Sequence, residues 1–75
     1  MTTFNLDITG ERCPMTFVKA KLLLEKLAPG DTAEILLKSG EPLDNVPRTA
    51  TEQGYVVVET LHVRDDIHKV IIRKP

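Results

Sequence analysis

The residue best suited to chemistry in this chain is Cys13, the only cysteine, which is followed at once by Pro14. Proline is favoured at the first position of a helix, where its fixed φ suits the helix and its missing N–H would have had no intrahelical partner. Pro14 is therefore the expected first helical residue and Cys13 the expected N-cap. A sulfur at that cap lies over the positive end of the helix dipole and beside the unpaired N–H groups of the first turn, which favour thiolate over thiol. Cys13 is thus read as a nucleophile, and Arg12 and Lys19 are close enough in sequence to add positive charge. A lone cysteine in a small domain is more often a buried, inert hydrophobe. A helix cap, however, belongs to a surface-facing helix end and not to an apolar stripe.

Other residue groupings point less clearly to chemistry. His62 and His68 fall on the two strands of an expected hairpin and would face each other across a three-residue loop. Two imidazoles could hold part of a metal site, but only Cys13 could join them as a soft ligand and nothing in the sequence brings it near, so solvated sheet histidines are the default. A Cys-His hydrolase would also need an orienting group, an oxyanion site and a cleft, for which 75 residues leave little material. The four glycines are scattered and form no phosphate loop. Asp65 and Asp66 are adjacent acids in a turn, where such pairs are usually solvated. No nucleotide, metal or other cofactor is expected.

The elements around Cys13 follow from apolar spacing. Phe4, Leu6 and Ile8 alternate with Asn5, Asp7 and Thr9 at the two-residue period of a half-buried strand. Phe17, Ala20, Leu24 and Leu27 then recur at helical spacing, with Val18, Leu22 and Leu23 broadening the stripe. This predicts a first helix from about Pro14 to Leu27, ended by Ala28-Pro29-Gly30-Asp31. Thr32 to Lys38 reads as a second strand with Ala33, Ile35 and Leu37 on one face. A strand, helix and strand joined by short links place the first two strands parallel, with Cys13 at the carboxyl end of the first, where open α/β sheets tend to keep their chemistry. Ser39-Gly40-Glu41-Pro42 reads as a loop, and Asp44 as the N-cap of a second helix that ends near Gly54, carries Val46 and Ala50 inward, and has Pro47 in its first turn. Tyr55–Val63 and Ile67–Arg73 read as an antiparallel pair around Arg64-Asp65-Asp66. The expected fold is a two-layer α/β sandwich, βαβαββ, with a four-stranded mixed sheet, both helices on one face and some apolar surface left on the other.

Composition limits the function classes. A single domain spans residues 1–75, with 41% hydrophobic and 28% charged residues, ordinary values for a folded globular chain. Ten basic against eleven acidic residues give a net charge of −1, without the basic excess that tight nucleic-acid binding needs. Lys19, Lys21 and Lys26 form the largest basic cluster and read as the solvated side of the first helix, open to an acidic partner. Met1-Thr2-Thr3 leads into the first strand with no secretion signal, and no apolar run reaches membrane-spanning length. One cysteine forms no internal disulfide and suits a reducing compartment, so a cytoplasmic location is expected. It also rules out a self-contained dithiol cycle, so turnover needs another molecule's thiol or sulfur.

The run Leu6-Asp7-Ile8-Thr9-Gly10-Glu11-Arg12-Cys13-Pro14, followed by Pro29-Gly30-Asp31, resembles the TusA/SirA-like family of small sulfur carriers over residues 4 to 73. The family signature is Cys-Pro-x-Pro at the start of the first helix, and this chain has Cys13-Pro14-Met15-Thr16. The resemblance implies that Cys13 accepts a sulfane sulfur as a persulfide from a cysteine desulfurase or rhodanese-like donor. It further implies relay to an acceptor protein in transfer-RNA thiolation, molybdenum cofactor synthesis or sulfur oxidation. Thr16 departs from the usual proline and restores an N–H at the third helical position, where an N-cap side chain normally finds a donor. Pro14 and Thr16 are then the residues that shape the site, with Glu11, Arg12, Met15 and Lys19 around it as a docking surface. The alternative is a binding or regulatory module in which Cys13 is a structural cap and the apolar sheet face meets the partner.

Overall fold

A computed structural model describes residues 2–11 and 15–75, leaving out the side chain of Pro42. The element order is β1 (Thr3–Asp7), α1 (Met15–Glu25), β2 (Thr32–Lys38), α2 (Glu41–Glu52), β3 (Val56–Arg64) and β4 (Ile67–Arg73). The four strands form one mixed sheet in the order β1-β2-β4-β3, with β1 parallel to β2 and the other two pairings antiparallel. The helices touch each other and pack on the same sheet, which is the expected βαβαββ sandwich.

The core lies between the layers. Ala33, Ile35 and Leu37 of β2 and Val70 and Ile72 of β4 are fully buried, and they meet Ala20 and Leu24 of α1 and Val46 and Ala50 of α2. Because side chains alternate across a strand, Glu34, Leu36, Lys69 and Ile71 fall on the opposite face, which no helix covers. Leu61 and Val56 add exposed apolar surface there, as expected from the apolar residues on both sides of the last strands.

The helix boundaries differ from expectation. In α1, Lys26 and Leu27 donate to carbonyls three residues back (3.0 and 3.1 Å), so the regular helix stops at Glu25 and tightens through Leu27. The expected start at Pro14 lies outside the described residues. The apolar stripe is narrower than the sequence suggests: Thr16, Ala20 and Leu24 are buried, while Val18 and Leu22 are exposed.

The second helix starts three residues before Asp44. Gly40 is its N-cap at φ 105°, a left-handed conformation that glycine adopts without steric cost, and Asp44 N–H already donates to Gly40 O (3.1 Å). Glu41-Pro42 is therefore helix and not loop, and Asp44 is a first-turn residue. The earlier start leaves Pro47 inside the helix instead of in its first turn, where it supplies no N–H to the carbonyl of Leu43.

The hairpin turn has two residues, Asp65-Asp66, with Asp65 at φ 42°, and Arg64 pairs with Ile67. Irregularities in β3 between Val57 and Glu59 and between His62 and Arg64 leave Val58 and Val63 as extra residues. The second of these shifts the register so that His62 still faces His68, the pairing expected from a longer loop.

Candidate functional site

The approach to Cys13 is set by the end of β1. Ile8 is buried and extends the pairing by donating to Leu36 O (3.1 Å). Asp7 then turns the chain: its Oδ1 accepts bonds from the Thr9 hydroxyl (2.6 Å) and the Thr9 N–H (2.9 Å). These bonds, the hydroxyl first, hold its carboxyl below the usual aspartate range. Glu11 N–H closes the turn onto Ile8 O (3.1 Å). The Asp7-x-Thr9 spacing, a signature of side-chain-capped turns, was legible in the sequence but not singled out there.

From this turn the described chain resumes at Met15, the first residue of α1. Glu11 forms an ion pair with Lys19, which ties the turn to the second turn of the helix. Lys19 is thus committed to a carboxylate and is not a free cation. Thr16 is 1% exposed and faces the core, whereas Met15 is 44% exposed. Met15, Val18 and Leu22, at spacings of three and four, make an exposed apolar stripe that begins two residues after Cys13. The structure therefore brings Glu11, Met15, Thr16 and Lys19 to one end of the molecule. Arg12, Cys13 and Pro14, and with them the expected cap and its thiolate, lie outside the described residues.

An open hollow of about 250 Å³ on the uncovered sheet face, lined by Asn5, Leu6, Asp7, Glu34, Leu36 and Lys69, reaches the Asp7 end of β1. A narrow groove between α1 and α2, lined by Phe17, Ala20, Leu24, Val46 and Tyr55, offers about 30 Å³, room for about one water. Tyr55 closes it by donating from its hydroxyl to Leu24 O (3.0 Å). No three His, Cys, Asp or Glu side chains among the described residues come together as metal ligands. Among the described residues, no helix is long and apolar enough to cross a membrane.

The fold is a small α/β sandwich in which a short strand-to-helix link joins the Asp7–Glu11 turn to α1. The sequence profile of the family described as "Sulfurtransferase TusA" matches residues 5–74. A protein of Archaeoglobus fulgidus is 32% identical over 92% of this chain and 78% of its own length, and one of Thermotoga maritima is 30% identical over 95% and 90%. Both bear the name "putative sulfur carrier protein". Among solved structures, a SirA-like protein from Desulfitobacterium hafniense superposes with a TM-score of 0.79 at 27% identity, covering 97% of this chain and 96% of its own. This chain belongs to the TusA family.

Proposed function

We propose that the protein is a sulfur carrier working through Cys13. One observation carries the reading: the only thiol lies in the short link between the β1 turn and α1 of a chain that matches the TusA family over nearly its whole length. The thiolate of Cys13 attacks the outer sulfur of a donor persulfide. A new S–S bond forms on Cys13, the donor's S–S bond breaks, and the donor leaves as a thiolate, so no outside oxidant or reductant is consumed. An acceptor thiolate then repeats the attack on the outer sulfur of the Cys13 persulfide. The rate depends on thiolate fraction, nucleophilicity and access.

A donor of the cysteine desulfurase or rhodanese class meets the protein over Glu11, Arg12, Met15 and Lys19, with the Met15-Val18-Leu22 stripe extending the contact. The exposure of Met15, Val18 and Leu22 supports this, since a carrier must present its sulfur to other proteins and not enclose it. Pro14 and Thr16 shape the first turn. The cytoplasm, where donor and acceptor thiols stay reduced, is the compartment this chemistry fits.

Mass spectrometry after incubation with a cysteine desulfurase and cysteine tests the proposal. The expected result is a gain of one sulfur atom that thiol reductant removes and Cys13→Ser abolishes. No gain with donors of either class would reject the carrier role and leave the regulatory module.

A further inference from the structure

A second site lies in the hairpin. His62 and His68 are directly paired across β3 and β4, with ring centroids 4.9 Å apart and ring planes inclined by 47°. His68 in turn pairs with Leu37 of β2, which is buried beneath the helices. The two imidazoles therefore share the helix-covered face, at the end of the sheet where β2 leaves for α2.

Two features distinguish this pair from ordinary surface histidines. His62 Nε2 lies 2.6 Å from Asp65 O. A carbonyl oxygen only accepts, so Nε2 carries the proton and Nδ1 of the neutral ring keeps its lone pair. Histidines that bind metals commonly have this arrangement, with the other ring N–H given to a backbone carbonyl. On His68, Nδ1 is shielded from solvent and has no hydrogen-bond partner among the described residues. Buried polar atoms are nearly always satisfied, so an orphaned imidazole nitrogen calls for a partner.

We propose that His62 and His68 form a two-histidine site for a divalent transition-metal ion that favours imidazole, with Zn²⁺ or Cu²⁺ as the fitting class. The ring separation suits it. With metal–nitrogen bonds of about 2.0–2.1 Å and a tetrahedral angle, two imidazole centres flanking one ion lie about 5 Å apart. No third His, Cys, Asp or Glu among the described residues joins the pair, so solvent or an incoming group takes the remaining positions. Such a site resembles the open arrangement of exchangeable metals more than the closed set of a structural zinc.

Titration of the apo protein with ZnCl₂, and separately with CuSO₄, tests the site through imidazole ¹H–¹⁵N shifts and the thermal midpoint. The experiment is run in the Cys13→Ser background so that thiol binding does not contribute. Saturable shifts of both imidazoles with Zn²⁺, their selective broadening with paramagnetic Cu²⁺ and a metal-dependent rise in midpoint are expected, all lost in His62→Gln. His62 is exposed at the hairpin end, so that variant should fold. Should Cys13→Ser show no response to either metal, or should His62→Gln respond like its parent, the site is overturned. Sulfur loading of the metal-free protein is read separately, so failure here leaves the carrier proposal untouched.

Discussion

Thr16, to which the sequence reading gave the donor N–H for the Cys13 cap, is buried. Its side chain packs inward while its backbone stands at the third position counted from Pro14, where a cap finds its donor. Replacing it with proline removes that N–H, so Thr16→Pro should raise the thiol pKa when thiolate absorbance is titrated; an equal or lower value would reject the role given to Thr16. Lys19 offers a complementary test. Its ion pair with Glu11 is partly exposed, and such pairs contribute about 0–1 kcal/mol. Lys19→Ala should therefore leave the thermal midpoint nearly unchanged while slowing sulfur uptake from the donor several-fold, and a variant that loads at the parental rate would remove Lys19 from the docking surface.

Among the secondary-structure elements, α2 makes the sharpest prediction. Pro47 sits inside a helix that begins at Glu41, and an interior proline is about 3 kcal/mol less favourable than alanine. Part of that is offset because proline also restricts the unfolded chain, by about 0.4–1 kcal/mol. Pro47→Ala should stabilise the protein by about 2–2.6 kcal/mol, seen as a rise of at least ~8 °C in thermal midpoint. The same helix shows where sequence reading loses its grip. Asp44 has the side chain of a cap, but Gly40 has the backbone freedom of one, and the backbone decided the start. By contrast, the bounds of β2 and β4 were legible to the residue, because each is a short run rich in β-branched and apolar residues, β2 set between turn residues and β4 between a turn and the Lys74-Pro75 end. The His62 and His68 pairing was legible too, though for an incomplete reason: a bulge at Val63 supplies the shift that a longer loop was expected to supply, and bulges leave little trace in composition. Val18 and Leu22 were read as broadening the apolar stripe and are exposed, because spacing reports a face and not how much of it a two-helix layer covers. The cap at Cys13 was the strongest feature of the sequence, and it falls on residues outside those described.

For the molecule as a whole, acid stability turns on two carboxylates. Asp31 accepts bonds from Ala28 N–H (3.0 Å) and Thr2 N–H (2.9 Å), which hold its pKa below the usual range, as Thr9 does for Asp7. A carboxylate whose pKa is depressed by folding stabilises the native state above its unfolded value, about 3.9, and that contribution is lost as pH falls through the lower folded value. The thermal midpoint should hold steady from neutral pH down to about pH 4 and then decline. Asp31→Asn should start lower at neutral pH and decline less steeply; parallel curves for variant and parent would show that the Asp31 bonds do not govern acid unfolding.

The Asp31 segment also gathers both ends of the chain. Thr32 N–H donates to Thr2 O, Gly30 N–H to Lys74 O, and Lys74 N–H back to Asp31 O. The strand starts and the last residues of β4 therefore meet at the pole of the sheet opposite the Thr9–Glu11 turn. A fused domain, purification tag or surface tether attached at either end would emerge on the far side from the Thr9–Glu11 turn, leaving the proposed docking surface unobstructed. The closeness of the two ends also makes the fold a natural candidate for circular permutation, with new termini cut into an exposed turn such as Asp65-Asp66.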